Sequence, residues 1–275
     1  MIRALKLEWL KVKSYKVFWA LVVMYLFSVV LVSFGGNFLL QYLKAEGAEL
    51  NGIDPTILPL YDFPDVWQNL TWVVSFTKIL LAYIVIISIN NDLTYNILRQ
   101  NIIDGLSKKE YLLSKLILIG ALALLSTVVL FIAGFINGAV YSHVFETNYI
   151  FDELEFLGAY ALDIFVFCSL AFLLSLLIKK AGFVIVSLTI YSLMFEPVLG
   201  LVLENAPYFK DTFWQQVPQF LPVNALNNLI AAPFPKYIFK EVMTDIPIKA
   251  LTIVLFWEAF FIGSIVYILN RRDLK

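Results

Sequence analysis

The sequence predicts an all-α integral membrane protein with six transmembrane helices. Three observations predict it. Six stretches are apolar over at least about 20 residues, the length that a helix rising 1.5 Å per residue needs to cross a ~30 Å hydrocarbon core. Hydrophobic residues make up 61% of the 275 and charged residues 15%. Soluble domains run near 45–50% and about 25%, and a domain of this size in water must still cover itself with polar groups. Finally, the basic residues are sorted to one side of the predicted spans.

Residues 1–16 place Ile2, Leu5, Trp9 and Val12 on one side of a helix, with lysines over much of the rest. That pattern predicts an interfacial helix lying along the inner leaflet. The first span follows at 17–40, free of charge between Lys16 and Lys44. A basic start before an apolar run can mimic a signal peptide. Here the apolar run far exceeds ~15 residues and no small-residue cleavage site follows, so it reads as a retained helix. The second span, 67–90, is interrupted by Lys78, and the third, 116–141, is charge-free. The fourth, 156–178, carries Asp163; the fifth, 181–203, carries Glu196; the sixth, 248–270, carries Glu258. All six belong to one transmembrane domain spanning 1–275.

With the N-terminus inside, the inner segments hold Arg3, Lys6, Lys11, Lys13 and Lys16, then Arg99, Lys108, Lys109 and Lys115, then Lys179 and Lys180, then Arg271, Arg272 and Lys275. The outer loops hold only Lys44, Lys210, Lys236, Lys240 and Lys249, and most of the acids. Both termini are therefore expected in the cytoplasm, the chain being multi-pass in a prokaryotic plasma (inner) membrane. The prolines agree: Pro55, Pro59 and Pro64 fall in the first outer loop, and Pro197 alone lies within a span. A proline removes a helix hydrogen bond, so intact spans exclude it. The outer segment 204–247 is too apolar for a solvated linker, which predicts short helices packed at the membrane surface or dipping into it.

The inventory excludes several chemistries. Cys168 is the only cysteine and His143 the only histidine, which leaves no internal disulfide and almost no metal cluster or Cys–His pair. The net charge of −1 does not suggest nucleic acid. No G-x-x-x-x-G-K-[ST] occurs to hold ATP phosphates. An intramembrane protease would need H-E-x-x-H, which is absent, or a serine paired with His143, or a second aspartate beside Asp163. No enzyme activity is expected of this chain.

The inner loop 91–115 is the most informative stretch. Ile97, Leu98, Ile102 and Ile103 recur at helical spacing, Asp104–Gly105 breaks the pattern, and Ser107 with Glu110 three residues on forms a capping-box signature. A short amphipathic helix held below the bilayer is expected, able to enter a groove of a soluble partner. An ordinary basic connector fits the periodicity about as well.

This loop resembles the one between spans two and three of ABC-2 type ABC transporter permeases. The counterparts of the family pattern are Asp92, Thr94, Ile97–Leu98, Ser107–Lys108 and Leu112–Leu113–Ser114–Lys115. The basic helix before span one, the apolar segment between spans five and six, and the C-terminal Arg271–Arg272–Asp273 are similar to the family as well. Leu93 stands where the family has glycine, Lys108 where it has arginine, and Gly105 supplies the turn in place of a proline. The resemblance implies a permease subunit of an exporter whose ATP and Mg are bound by a separate cytoplasmic ATPase, in two copies. It also implies a second permease subunit, identical or related, and a coupling role for Thr94, Ile97, Leu98, Arg99, Ile102, Ser107 and Lys108.

Lys78, Asp163, Glu196 and Glu258 are the remaining candidates. Each costs at least ~2.5 kcal/mol at a helix centre, so each should face the protein interior or a polar pathway. Lys78 and Glu258 lie at similar depth, which predicts that they pair. The alternative function is an ion-coupled secondary transporter using Asp163, Glu196 and Glu258. Gly134 and Gly138 form a G-x-x-x-G that permits a close helix contact. Asn69-Leu70-Thr71 is a glycosylation sequon too close to the membrane to be used.

Overall fold

The computed structural model describes residues 2–47, 60–142, 147–233 and 245–271, and every regular element among them is helical. His143, Pro55, Pro59, Lys236, Lys240, Arg272, Asp273 and Lys275 lie outside the described residues.

Helix α1, Ile2–Ser14, meets α2, Lys16–Ala45, at an elbow on Tyr15, whose extended backbone (φ −96°, ψ 102°) interrupts the helical run. At 30 residues α2 extends past the expected 17–40. The expected second span is divided into α3, Val66–Ser75, and α4, Lys78–Thr94, which meet at a 45° bend. The local sequence supplies the reason. The hydroxyls of Thr71, Ser75 and Thr77 turn back on the carbonyls of Trp67, Trp72 and Val74, each at 2.7 Å. Such back-bonding competes with the helical ladder and bends it.

Helix α5, Ile97–Ile103, starts after Asn96 in the left-handed region (φ 54°), which asparagine tolerates better than most residues. It ends at Gly105 (φ 91°), where a side chain would be strained. Helix α6 runs Lys108–Tyr141 and opens on the capping box expected from Ser107 and Glu110. Ser107 Oγ accepts from the Glu110 amide at 3.2 Å, and the Glu110 carboxylate accepts from the Ser107 amide at 2.9 Å.

Helix α7, Thr147–Phe151, precedes α8, Glu155–Ile178. Lys179 (φ 61°) and Lys180 turn the chain into α9, Ala181–Ile190. A π-helical turn, Tyr191–Phe195, joins α9 to α10, Glu196–Asn205. Pro197 explains it. A proline offers no amide and its ring crowds the carbonyl four residues back, and a wider i→i+5 turn relieves both. The proline within the fifth span thus produces a local widening, not an interruption.

Beyond α10 come 3₁₀ turns at Pro207–Phe209 and Phe213–Phe220, α11 at Pro222–Asn227, and α12 at Ile248–Arg271. Val223, Ala225, Leu226, Leu229 and Ile230 are buried in the main core.

Five helices are long and apolar enough to cross a membrane, and the bent α3–α4 pair adds a sixth if taken as one span. This is a multi-pass membrane protein. Helix α8 is its axis. Its apolar window is 67% buried, against 22–33% for the other four, and α3, α4, α6, α9 and α12 pack around it. The exposed residues of the outer helices are largely apolar, including Phe27, Phe183, Leu193 and Phe256. In water such surface would be unfavourable by about 25 cal/mol per Å², a penalty that lipid removes.

Gly134 and Gly138 do make a close contact, but with rings. A Cβ on Gly134 would sit 2.7 Å from the Trp67 ring, and one on Gly138 2.3 Å from Phe63. Trp67 fills this notch, stacks on Phe131 at 5.4 Å and donates its indole N–H to the Ile150 carbonyl at 2.8 Å. Asn69 is buried and donates to the Leu60 carbonyl, which removes it from modification on packing grounds.

Candidate functional site

Helix α5 projects from one end of the bundle between α4 and α6. Leu98, one of the candidate coupling residues, is only 2% exposed and roots the helix in the core, with Ile102 packed beside it and Ile97 half-buried. The exposed surface of this segment is therefore different from the apolar face that periodicity suggested. It includes Thr94, Tyr95, Asn96, Arg99, Gln100, Ile103 and Asp104, with Tyr95 70% and Ile103 71% exposed. Ser107 is exposed but occupied with the cap, and Lys108 donates to the Asn270 carbonyl at the end of α12 at 3.2 Å. The candidates thus fall into two groups. Leu98, Ile102, Ser107 and Lys108 hold the segment in place, and Thr94 and Arg99 face outward.

Directly above α5 lies a charge cluster that the sequence did not reveal. Lys115, 1% exposed, donates to Glu8 of α1, to Ser88 Oγ of α4 at 2.8 Å, and pairs with Asp92 Oδ2 at 2.8 Å. Lys11 reaches the other oxygen, Asp92 Oδ1, at 2.9 Å and lies 3.6 Å from Glu8. Two acids and two lysines therefore tie α1, α4 and α6 together at the base of α5. Every member is a charge that is costly to bury alone, and removing one partner of such a set costs about 3–5 kcal/mol. Among the described side chains of α1, Glu8 and Val12 are buried and Trp9 is 57% exposed. One signal could have found the cluster: Glu8 is the only acid in a strongly basic opening segment, and an anomalous charge needs a partner.

Half-way along the bundle Lys78 pairs with Asp163, not with Glu258. Lys78 Nζ lies 2.6 Å from Asp163 Oδ1 and 5.2 Å from the centre of the Phe167 ring. Depth along two helices is readable from residue count, but the direction a side chain leaves the helix decides which neighbour it meets. Exchanging the charges of Lys78 and Glu258 would place a carboxylate against Asp163. Glu258 instead accepts from Ser169 Oγ at 3.0 Å, with no cation in ion-pair range among the described residues. Tyr25 of α2, Ser126 of α6 and Tyr160 of α8 form a buried hydroxyl triad, with Tyr160 2.8 Å from each of the other two. Glu196 has a structural partner as well, since its carboxylate accepts from the Asn224 amide at 2.6 Å and so caps α11.

The four intramembrane candidates thus do not converge on one point. Lys78 and Asp163 meet, and Glu196 and Glu258 are each held by a different element. Among the described residues no group of three His, Cys, Asp or Glu side chains could hold a metal ion. Cys168 is fully buried in the core. No family model matches this chain, and no curated protein shows significant similarity to it.

What the site can do follows from its mechanics. A seven-residue helix with an exposed polar and aliphatic surface is rooted by Leu98 and follows closely on α4, whose Asp92 belongs to the four charges that fasten α1, α4 and α6 to one another. Parting those charges is costly, so the three helices are held as a unit.

Proposed function

We propose that this chain is the transmembrane permease subunit of an ABC transporter, acting as an exporter. In this reading α5 is the coupling helix and a separate ATPase on the cytoplasmic side binds and hydrolyses ATP. The observation that carries the reading is the α5 geometry. The helix is short, stands at one end of the bundle, exposes Arg99 and Ile103, and adjoins the spans that the Glu8–Lys11–Asp92–Lys115 cluster fastens together. The resemblance of the 91–115 loop to ABC-2 permeases supports it, as does the basic character of the segments at this end of the helices. In such a transporter the chain does no covalent chemistry. The ATPase, in two copies, moves α5 and so biases the bundle between two accessible states, with a second permease subunit completing the pathway.

The ion-coupled alternative loses ground on its own residues. Asp163 is paired with Lys78, Glu196 caps α11, and Glu258 is left with Ser169, so its three carboxylates are held by separate partners.

The experiment is affinity purification of the full chain from native membranes, with any ATPase subunit that co-purifies identified by mass spectrometry. Arg99→Glu with Ile103→Asp should abolish recovery of the ATPase while leaving the permease monodisperse. Undiminished recovery with that double variant would refute the coupling role. Labelling of a cysteine placed at Asp104 from the outside of intact cells would overturn the orientation.

A further inference from the structure

Beneath the α1–α2 elbow lies a cavity of about 230 Å³ between α1, α2 and α4. Its walls change character along its length. Phe18, Leu21, Ile84 and Ile87 line the end toward the bundle centre, and Lys11, Asn91 and Asp92 line the end toward α5. Tyr15 and Tyr95 also line it. An apolar slot opening onto a polar mouth at the level of α5 matches an amphiphile lying with its headgroup at the membrane boundary. We propose that this cavity binds a zwitterionic glycerophospholipid of the leaflet on the α5 side.

Charge decides the headgroup. Lys11 is 30% exposed and retains donors beyond the one it gives Asp92, so it can meet a phosphate. The cluster behind it is neutral, with Glu8 and Asp92 against Lys11 and Lys115. The cavity wall thus holds no net positive charge, Lys11 standing against Asp92, and the exposed Lys13 and Lys16 of the same basic segment are not among its lining residues. Asp92 close by and the tyrosine rings instead favour an ammonium next to the phosphate. The Asn91 carboxamide makes no hydrogen bond among the described residues and faces the same mouth. The cavity volume corresponds to about eight waters at ~30 Å³ each, enough for a headgroup and the first acyl carbons. The rest of a chain would continue along α2, where Met24 and Leu31 are exposed three and ten residues beyond Leu21. The inference does not depend on an ATPase partner.

The test is native mass spectrometry of the full chain, delipidated in mild detergent and given equal amounts of palmitoyl-oleoyl phosphatidylethanolamine and phosphatidylglycerol. The wild-type protein should retain the ethanolamine lipid about tenfold better, equivalent to about 1.4 kcal/mol. Leu21→Trp and Ile87→Trp, which fill the slot from different helices, should each remove that preference. Val186→Trp, on the exposed face of α9, should keep it. Equal retention of the two lipids by the wild type overturns the proposal, with no variant needed. Unchanged retention by folded Leu21→Trp or Ile87→Trp overturns it too.

Discussion

Replacing Lys78 by methionine isolates the worth of the buried pair with Asp163. The two groups are 7% and 1% exposed, with 2.6 Å between Nζ and Oδ1. At an effective dielectric constant near 20 their attraction is about 6 kcal/mol. Most of this is offset by the cost of taking both charges out of water, so the pair is worth little against a well-packed apolar substitute. Removing one partner is different. Asp163 Oδ2 has no hydrogen-bond partner among the described residues, so without Lys78 the carboxylate has nothing to compensate its burial. Lys78→Met is expected to destabilise by about 3–5 kcal/mol, and Asp163→Leu by a similar amount. The double variant should return to within about 1.5 kcal/mol of wild type, the range for shape-conserving apolar replacement. Reversible unfolding by SDS in mixed micelles, followed by circular dichroism, measures all four corners of the cycle. Additive losses would refute the reasoning, because the two side chains would then be acting independently.

Gly138→Ala should destabilise by about 1–3 kcal/mol in the same assay, since its Cβ would fall 2.3 Å from the Phe63 ring, whereas Gly158→Ala meets nothing within 4 Å and should be near neutral. Lys115→Met leaves Glu8 and Asp92 with Lys11 alone, an excess of one negative charge, and should free α6 from α1 and α4, seen as a broadened distance between spin labels at Lys6 and Lys109; an unchanged distribution would count against the cluster as the fastening. Ser107→Ala removes the α6 cap and should cost about 1 kcal/mol, with faster hydrogen exchange at the Glu110 amide while exchange at the centre of α6 stays unchanged.

The spans were legible because length and lack of charge are local properties: a run such as 116–141 can be read without knowing its neighbours. The start of α6 was legible for the same reason, since a capping box is four consecutive residues. The bend at Phe76–Thr77 was less so. Serine and threonine occur in many straight helices, and their back-bonding matters only when packing selects the bent form. The pairings were hidden for a geometrical reason. Lys78 is 85 residues from Asp163 and Lys115 is 107 from Glu8, and pairing depends on how each helix is rotated about its axis. Counting residues supplies only depth, and rotation about the helix axis turned Lys78 toward Asp163 of α8. The same rotation sent Leu98 inward and left Arg99 and Ile103 outside, which a period of apolar residues on a seven-residue helix could not distinguish.

The pairing of charges bears on how this protein meets an electric field. A unit charge carried across a membrane potential exchanges about 2.3 kcal/mol per 100 mV. The Lys78–Asp163 pair sums to zero, as do Glu8, Lys11, Asp92 and Lys115 together. A movement that carries each set whole displaces no net charge and proceeds equally well in an energised or a depolarised cell. A step that separates Lys78 from Asp163 along the membrane normal, or one that moves an ionised Glu196 or Glu258 through the field, would register as a gating current.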